Sequence, residues 1–288
     1  MARVVSRLAS IAWAAILAAG AAPAAQAAGT IFLARCAPAG CVYTPGFEDS
    51  RINRSSLLNQ TAQIPAFSHG DAAWAEHLAC VQRAFAPFDV VVTEVDPGTA
   101  THWEIVVAGL PSHIGFPSGI AGVSPFTCGV IQNGIAFSFA EVYAASEVKE
   151  LCWTTAHEAA HLLGLDHEVL QRDPMTYLEG CKEKVFAPAD APCGTTVPET
   201  CLCGGSTQNS HAMLTAVLGP GGPGTPLFVD GFSVEGVDPE EASTCRWDGA
   251  VSLLPGGPGL ELRALRCGTE GLLGGGAPPA RRNGLPVL

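Results

Sequence analysis

The chain has 288 residues, 48% of them hydrophobic, with 15 basic and 27 acidic side chains and a formal charge of −12. That much apolar material fills a core and excludes a disordered chain, and the length admits one large domain or two small ones. The acidic surface repels phosphate backbones and argues against a nucleic-acid partner, and either plain solubility or attraction for cationic substrates accounts for it.

The N-terminus is basic in MARVVSR and then apolar in LASIAWAAILAAGAAPAA, and Ala25, Gln26 and Ala27 form a small-x-small cleavage site. Residues 1–27 therefore read as a secretory signal, with Pro23 favouring cleavage over a retained anchor. No other stretch is apolar enough to span a bilayer, so no stable membrane insertion is expected after cleavage. The expected location is secreted, periplasmic or extracellular. All 11 cysteines lie beyond the leader, which in an exported chain points to disulfides. Their odd number leaves at least one unpaired or bridged to another chain. The close pairs Cys36 with Cys41 and Cys201 with Cys203 resemble metal-ligand spacing, but export favours bridges, and spacing does not give connectivity.

In chain order, TIFLAR (Thr30–Arg35) predicts a strand, and the polar, proline-containing stretch to about Asp71 predicts loop. Trp74, Leu78, Val81 and Phe85 recur at helical spacing. VVVTEV (Val90–Val95) and WEIVVAG (Trp103–Gly109) are β-rich and flank the turn DPG. GIAFSFAE (Gly134–Glu141) alternates Ile135, Phe137 and Phe139 against smaller residues. A mixed sheet backed by helices would bury these faces. A helix follows from Ser146 to Leu163, with Ser146 as its N-cap and Glu147 and Glu150 suited to the positive end. A cysteine-rich segment runs from Cys181 to Cys203, and NSHAMLTAVLG (Asn209–Gly219) predicts a short last helix stopped by Gly219 and Pro220. Residues 220–288 read as a glycine- and proline-rich extension in which Cys245 and Cys267 would staple a small β appendage. No internal repeat is present.

The chemistry concentrates in TTAHEAAHLLGLDHE (Thr154–Glu168). At about 100° per residue, Leu151, Thr155, Ala159 and Leu162 form one stripe, and His157 and His161 face away from it. Two imidazoles one turn apart, about 6 Å along the axis, can converge on one ion. Glu158 flanks that position without reaching it, which leaves its carboxylate free to take a proton from water. Gly164 can enter a left-handed turn, end the helix and let His167 swing back as a third ligand. Three protein ligands leave one position open, the catalytic pattern of zinc rather than the closed structural one. The alternative is a surface helix with solvated histidines.

HEAAHLLGLDH resembles the HEXXHXXGXXH signature of the metzincins, zinc-dependent endopeptidases, and DPMTY (Asp173–Tyr177) resembles their Met-turn, with Met175 in the methionine position. The short connection from His167 to Met175 is similar to that of matrixins. Glu168 after the third histidine and Tyr177 after the methionine are similar to astacins. In element order the likeness spans about residues 30–219, and only these two motifs are specific. It implies an α+β fold: a twisted, mixed five-stranded sheet packed on helices, an active-site zinc helix, Met175 beneath the metal and a C-terminal helix, all braced by disulfides. It also implies a catalytic domain over residues 28–219 that uses Zn2+. A structural Ca2+ occurs in several such relatives, and no EF-hand-like acidic run supports one here. The alternative for Met175 is an ordinary core filler. Tyr177 either binds zinc or an oxyanion, or packs at the rim of the site. Cys36 is either a thiolate capping zinc or, by preference, the disulfide partner of Cys41. The first strand begins too close to the leader for a matrixin-like inhibitory propeptide, so export in an active form is expected.

The function expected is a secreted zinc endopeptidase: His157, His161 and His167 hold zinc, Glu158 acts as general base and acid, and Tyr177 assists. The substrate is a protein or peptide, expected to add as a strand beside GIAFSFAE at the sheet's edge. An interior place for that strand is the alternative. Two rivals are a secreted, disulfide-rich binding or adhesion protein with a vestigial or structural metal site, and a hydrolase acting on a non-peptide bond.

Overall fold

The computed structural model describes residues 29–178, 183–222 and 259–263. The expected leader, most of the expected extension, and Cys181, Cys245 and Cys267 lie outside them. The described chain is α+β, with a six-stranded mixed sheet, three α-helices and four disulfides.

The chain opens with β1 (Gly29–Ala34), and a second, three-stranded sheet follows: β2 (Cys41–Pro45), β3 (Arg54–Ser55) and β4 (Ala62–Ile64). The expectation of loop up to Asp71 is thereby corrected. These strands have two to five residues, too few to display an alternation, and prolines interrupt them. Helix α1 (Gly70–Phe85) buries Trp74, Val81 and Phe85 as its spacing predicts. Strand β5 (Val90–Thr93) is shorter than expected, because the Thr93 hydroxyl accepts from the Val95 amide and turns the chain away. Then come β6 (Trp103–Val107), β7 (Ile120–Pro125), β8 (Ile135–Ser138) and α2 (Val148–Leu162). The small hairpin of β9 (Ala191–Pro192) and β10 (Thr207–Gln208), helix α3 (Ser210–Leu218) and β11 (Gly259–Arg263) complete the set.

The order across the main sheet is β11-β7-β8-β6-β1-β5. Strands β5, β1, β6 and β8 are mutually parallel, whereas β7 runs antiparallel to β8 and β11 antiparallel to β7. GIAFSFAE, expected at the edge, is therefore an interior strand between β6 and β7, and each residue of β8 is buried. The strand that displaces it outward, β7, escapes sequence reading because IAGVSP is too small and too glycine- and proline-containing to look like a strand.

Alternation along the strands separates two cores. Ile31, Leu33, Ile105, Val107 and Ala136 face α1 and α2. Val106, Ile135, Phe137 and Phe139 face Tyr43, Leu58, Ala62 and Ile64 of the smaller sheet. Helices α1 and α2 pack together and are joined by Cys80–Cys152. That bridge spans a sequence separation of 72 residues. On a chain-entropy account a loop of that size contributes about 4 kcal/mol. Cys36–Cys41 forms as preferred, but Cys201 bonds Cys193 and Cys203 bonds Cys128, so the adjacent pair serves two different bridges. No helix among the described residues is long and apolar enough to cross a membrane, and the bridges are compatible with an extracellular location.

Candidate metal centre

Helix α2 starts one residue later than the Ser146 cap predicts. Glu147 is its N-cap residue, and the Glu147 carboxylate turns back to accept from the Ala144 amide at 2.6 Å. On the sheet side Ala156, Ala159 and Ala160 allow close approach, and the Thr155 hydroxyl bonds Ser138 of β8 at 2.9 Å. His157 and His161 point to the other side, as the helical spacing requires.

The helix ends in a Schellman turn. The Gly164 amide donates to His161 O at 3.0 Å and the Leu165 amide to Ala160 O at 3.1 Å, with Gly164 at φ +93°. This is the pairing and the left-handed residue that terminate helices on glycine. A Cβ at Gly164 would also lie 3.2 Å from the Gly129 backbone. The chain reverses there and returns His167 to the histidines of α2.

His161 Nε2 lies 2.8 Å from His157 Nε2 and 3.1 Å from His167 Nε2. The three ligand atoms all fall within 4.8 Å of one another. Nitrogens bound to one tetrahedral zinc at 2.0–2.1 Å stand about 3.4 Å apart, so the triad has the span of a ligand set. The tautomers support the same conclusion. His157 Nδ1 is 2.8 Å from Pro174 O and His161 Nδ1 is 2.7 Å from Leu165 O. A carbonyl only accepts, so each Nδ1 carries the proton and each Nε2 presents a lone pair. Lone pairs that converge in this way repel unless a cation lies among them. Burial pushes His161 down to about 4. Burial and the neighbouring imidazoles push His157 and His167 down as well, so the rings are neutral, as ligands must be.

Glu158 is fully buried, and neither of its carboxyl oxygens has a hydrogen-bond partner among the described residues. Burial alone raises it well above the ordinary carboxyl range. Gly122 of β7 passes close by, and an added Cβ there would stand 2.5 Å from Glu158 Oε1. Strand β7 thus needs glycine at this point to pass the carboxyl group.

The segment after the helix packs against the triad. Pro174 orients His157, and Met175 is wholly buried in the same core as α2. The Glu168 amide donates to Met175 O at 3.0 Å. Tyr177 is buried against the ligand rings, edge-on to His167 at 4.5 Å and to His157 at 5.8 Å.

Residues that sequence reading passed over hold this segment together. Asp173 accepts from the Met175 amide (2.8 Å), the Ala187 amide (2.8 Å) and the Ser210 hydroxyl of α3. Asp166 accepts from the His167 amide at 2.7 Å and the Leu202 amide at 2.6 Å. Gln208 donates to Asp166 O and to Glu168. Burial, and then the nearby Asp173, holds Glu168 above the ordinary carboxyl range. The position of Asp173 before Pro174 was the one available signal, since aspartate commonly accepts from the amide two residues on. No known family model and no curated protein matches the chain.

Proposed function

We propose that the protein is a zinc-dependent endopeptidase of metzincin type. The observation that carries this reading is the convergence of the Nε2 atoms of His157, His161 and His167, together with the buried carboxyl group of Glu158, whose oxygens have no hydrogen-bond partner among the described residues. Three imidazoles suit zinc, and three ligands leave a position for chemistry. A zinc ion held there would supply Lewis acidity towards water and a carbonyl oxygen.

The chain's own residues do the rest. Glu158 accepts the proton of the attacking water and delivers it to the amine nitrogen that leaves. Pro174 and Leu165 keep the two helical imidazoles in the tautomer that presents Nε2. Tyr177, packed on His167 and His157, is the candidate donor to the tetrahedral oxyanion. The peptide would pair with β7 rather than with GIAFSFAE, because β7 passes Glu158 at Gly122.

The test compares the parent, Glu158→Ala and His157→Ala for bound zinc and for casein cleavage. The parent should carry one zinc and cleave in a chelator-sensitive way. Glu158→Ala should keep the metal and lose activity by about 10²–10⁴-fold, the usual worth of a general base, and His157→Ala should lose both. Metal retained by all three with no cleavage by any would favour a binding protein, and cleavage unaffected by chelator or by Glu158→Ala would end the hydrolase reading.

A further inference from the structure

Strand β7 lies beside the candidate centre along its length. Gly122 abuts the Glu158 carboxyl group, and Phe126, just past the end of the strand, meets the His161 ring edge-on at 5.8 Å. One edge of β7 is paired with β8. A strand added at the other edge of β7 would lie level with Gly122, which abuts Glu158.

The chain itself occupies that edge. Strand β11 runs antiparallel to β7 with Gly259 opposite Pro125, Leu260 opposite Ser124, Glu261 opposite Val123, Leu262 opposite Gly122 and Arg263 opposite Ile120. The register skips Ala121, a one-residue bulge next to the glycine that faces the carboxyl group. The N–H and C=O groups of a strand edge serve one partner at a time, so a peptide cannot pair with β7 while β11 does. His157, Glu158, His161 and His167 expose 0 to 3% of their surface in this arrangement.

We propose that Gly259–Arg263 is an inhibitory strand, held by the chain in the place of an extended peptide substrate. The proposal rests on the endopeptidase reading above and names the region that regulates it. A competitor in the same chain acts at an effective concentration on the order of millimolar. A peptide at micromolar concentration would therefore meet a largely closed edge, and relief would come from displacing the C-terminal strand. On this proposal the C-terminal side of the chain, rather than an N-terminal propeptide, would hold the enzyme latent.

The experiment uses the full chain. Leu260→Pro/Glu261→Pro removes two consecutive amides, one of which faces β7 whichever way the alternation falls. A second full-length variant, with residues 260–262 all changed to glycine, covers the case in which the proline form does not fold. Both are compared with the parent for zinc content and for kcat/KM on a fluorogenic peptide. The variants should bind the same zinc and show kcat/KM at least tenfold above the parent. A synthetic peptide of residues 256–265 should then inhibit them by raising KM at constant kcat, and a scrambled peptide should not. Equal kcat/KM in parent and variants, with no inhibition by the peptide, would overturn the proposal. If no form cleaves peptides, the endopeptidase reading fails and the inhibitory role fails with it. In that case anisotropy of labelled 256–265 peptide decides separately whether β7 accepts a strand: binding to the variants and not to the parent sustains the occupancy, and binding to neither removes it.

Discussion

Glu158 and Gly122 define one spatial requirement from two sides. In the proposed mechanism the carboxyl group stays free of protein partners, and the strand beside it carries no side chain at Gly122. Gly122→Ala would place a methyl within 3 Å of three Glu158 atoms and force the carboxyl group to move. Since a misplacement of about 1 Å can cost about 10²-fold in rate, this variant should bind zinc like the parent and lose activity on that scale. Zinc analysis alongside kcat/KM checks it, and full activity would mean that Glu158 has freedom the packing denies it. His157, His161 and Glu158 were legible in the sequence because a helix turns residue spacing directly into direction, and His167 because a glycine ends that helix just before it. Gly122 was not, since its importance comes from a neighbour that is distant in the chain.

At the scale of elements, the turn after α2 decides whether a third ligand exists. Gly164 combines a left-handed backbone with contact against Gly129, so Gly164→Ala should cost about 1–3 kcal/mol through strain and lower zinc affinity by pulling His167 away. Urea unfolding and competition with a chelator read the two effects, and unchanged zinc affinity would separate the turn from the ligand geometry. This element was readable, as were α1, α3 and the strands with a strong apolar pattern. The layer of β2, β3 and β4 was not, because strands of two to five residues are held by their partners rather than by any pattern of their own. The place of GIAFSFAE was misjudged for a related reason: alternation reports which face a residue occupies, and it says nothing about which strand lies next to which. Only pairing through the glycine-bearing β7 makes that segment interior.

Across the whole molecule, the two cores meet at a buried ionisable pair. Tyr43 of the smaller sheet donates to Glu104 of β6 at 2.7 Å, and burial pushes Glu104 up to about 8. Between its ordinary value of 4.5 and about 8 the folded chain holds a proton that the unfolded chain has released. Stability from this group is therefore complete below pH 4.5 and declines as pH rises through about 8. Glu104→Gln keeps an acceptor for Tyr43 and does not titrate. With chelator present throughout, its urea midpoint should fall less than the parent's between pH 5 and pH 8, and parallel falls would place the titration elsewhere. The bridges act over similar distances. Cys128 adjoins Gly129, on which the Gly164 turn rests, and Cys203 adjoins Leu202, whose amide holds Asp166 and through it the His167 backbone. One covalent tie thus joins both supports of the returning imidazole, so if the triad holds zinc as proposed, the chain reduced at Cys128 and Cys203 should yield it to a competing chelator sooner than the bridged chain.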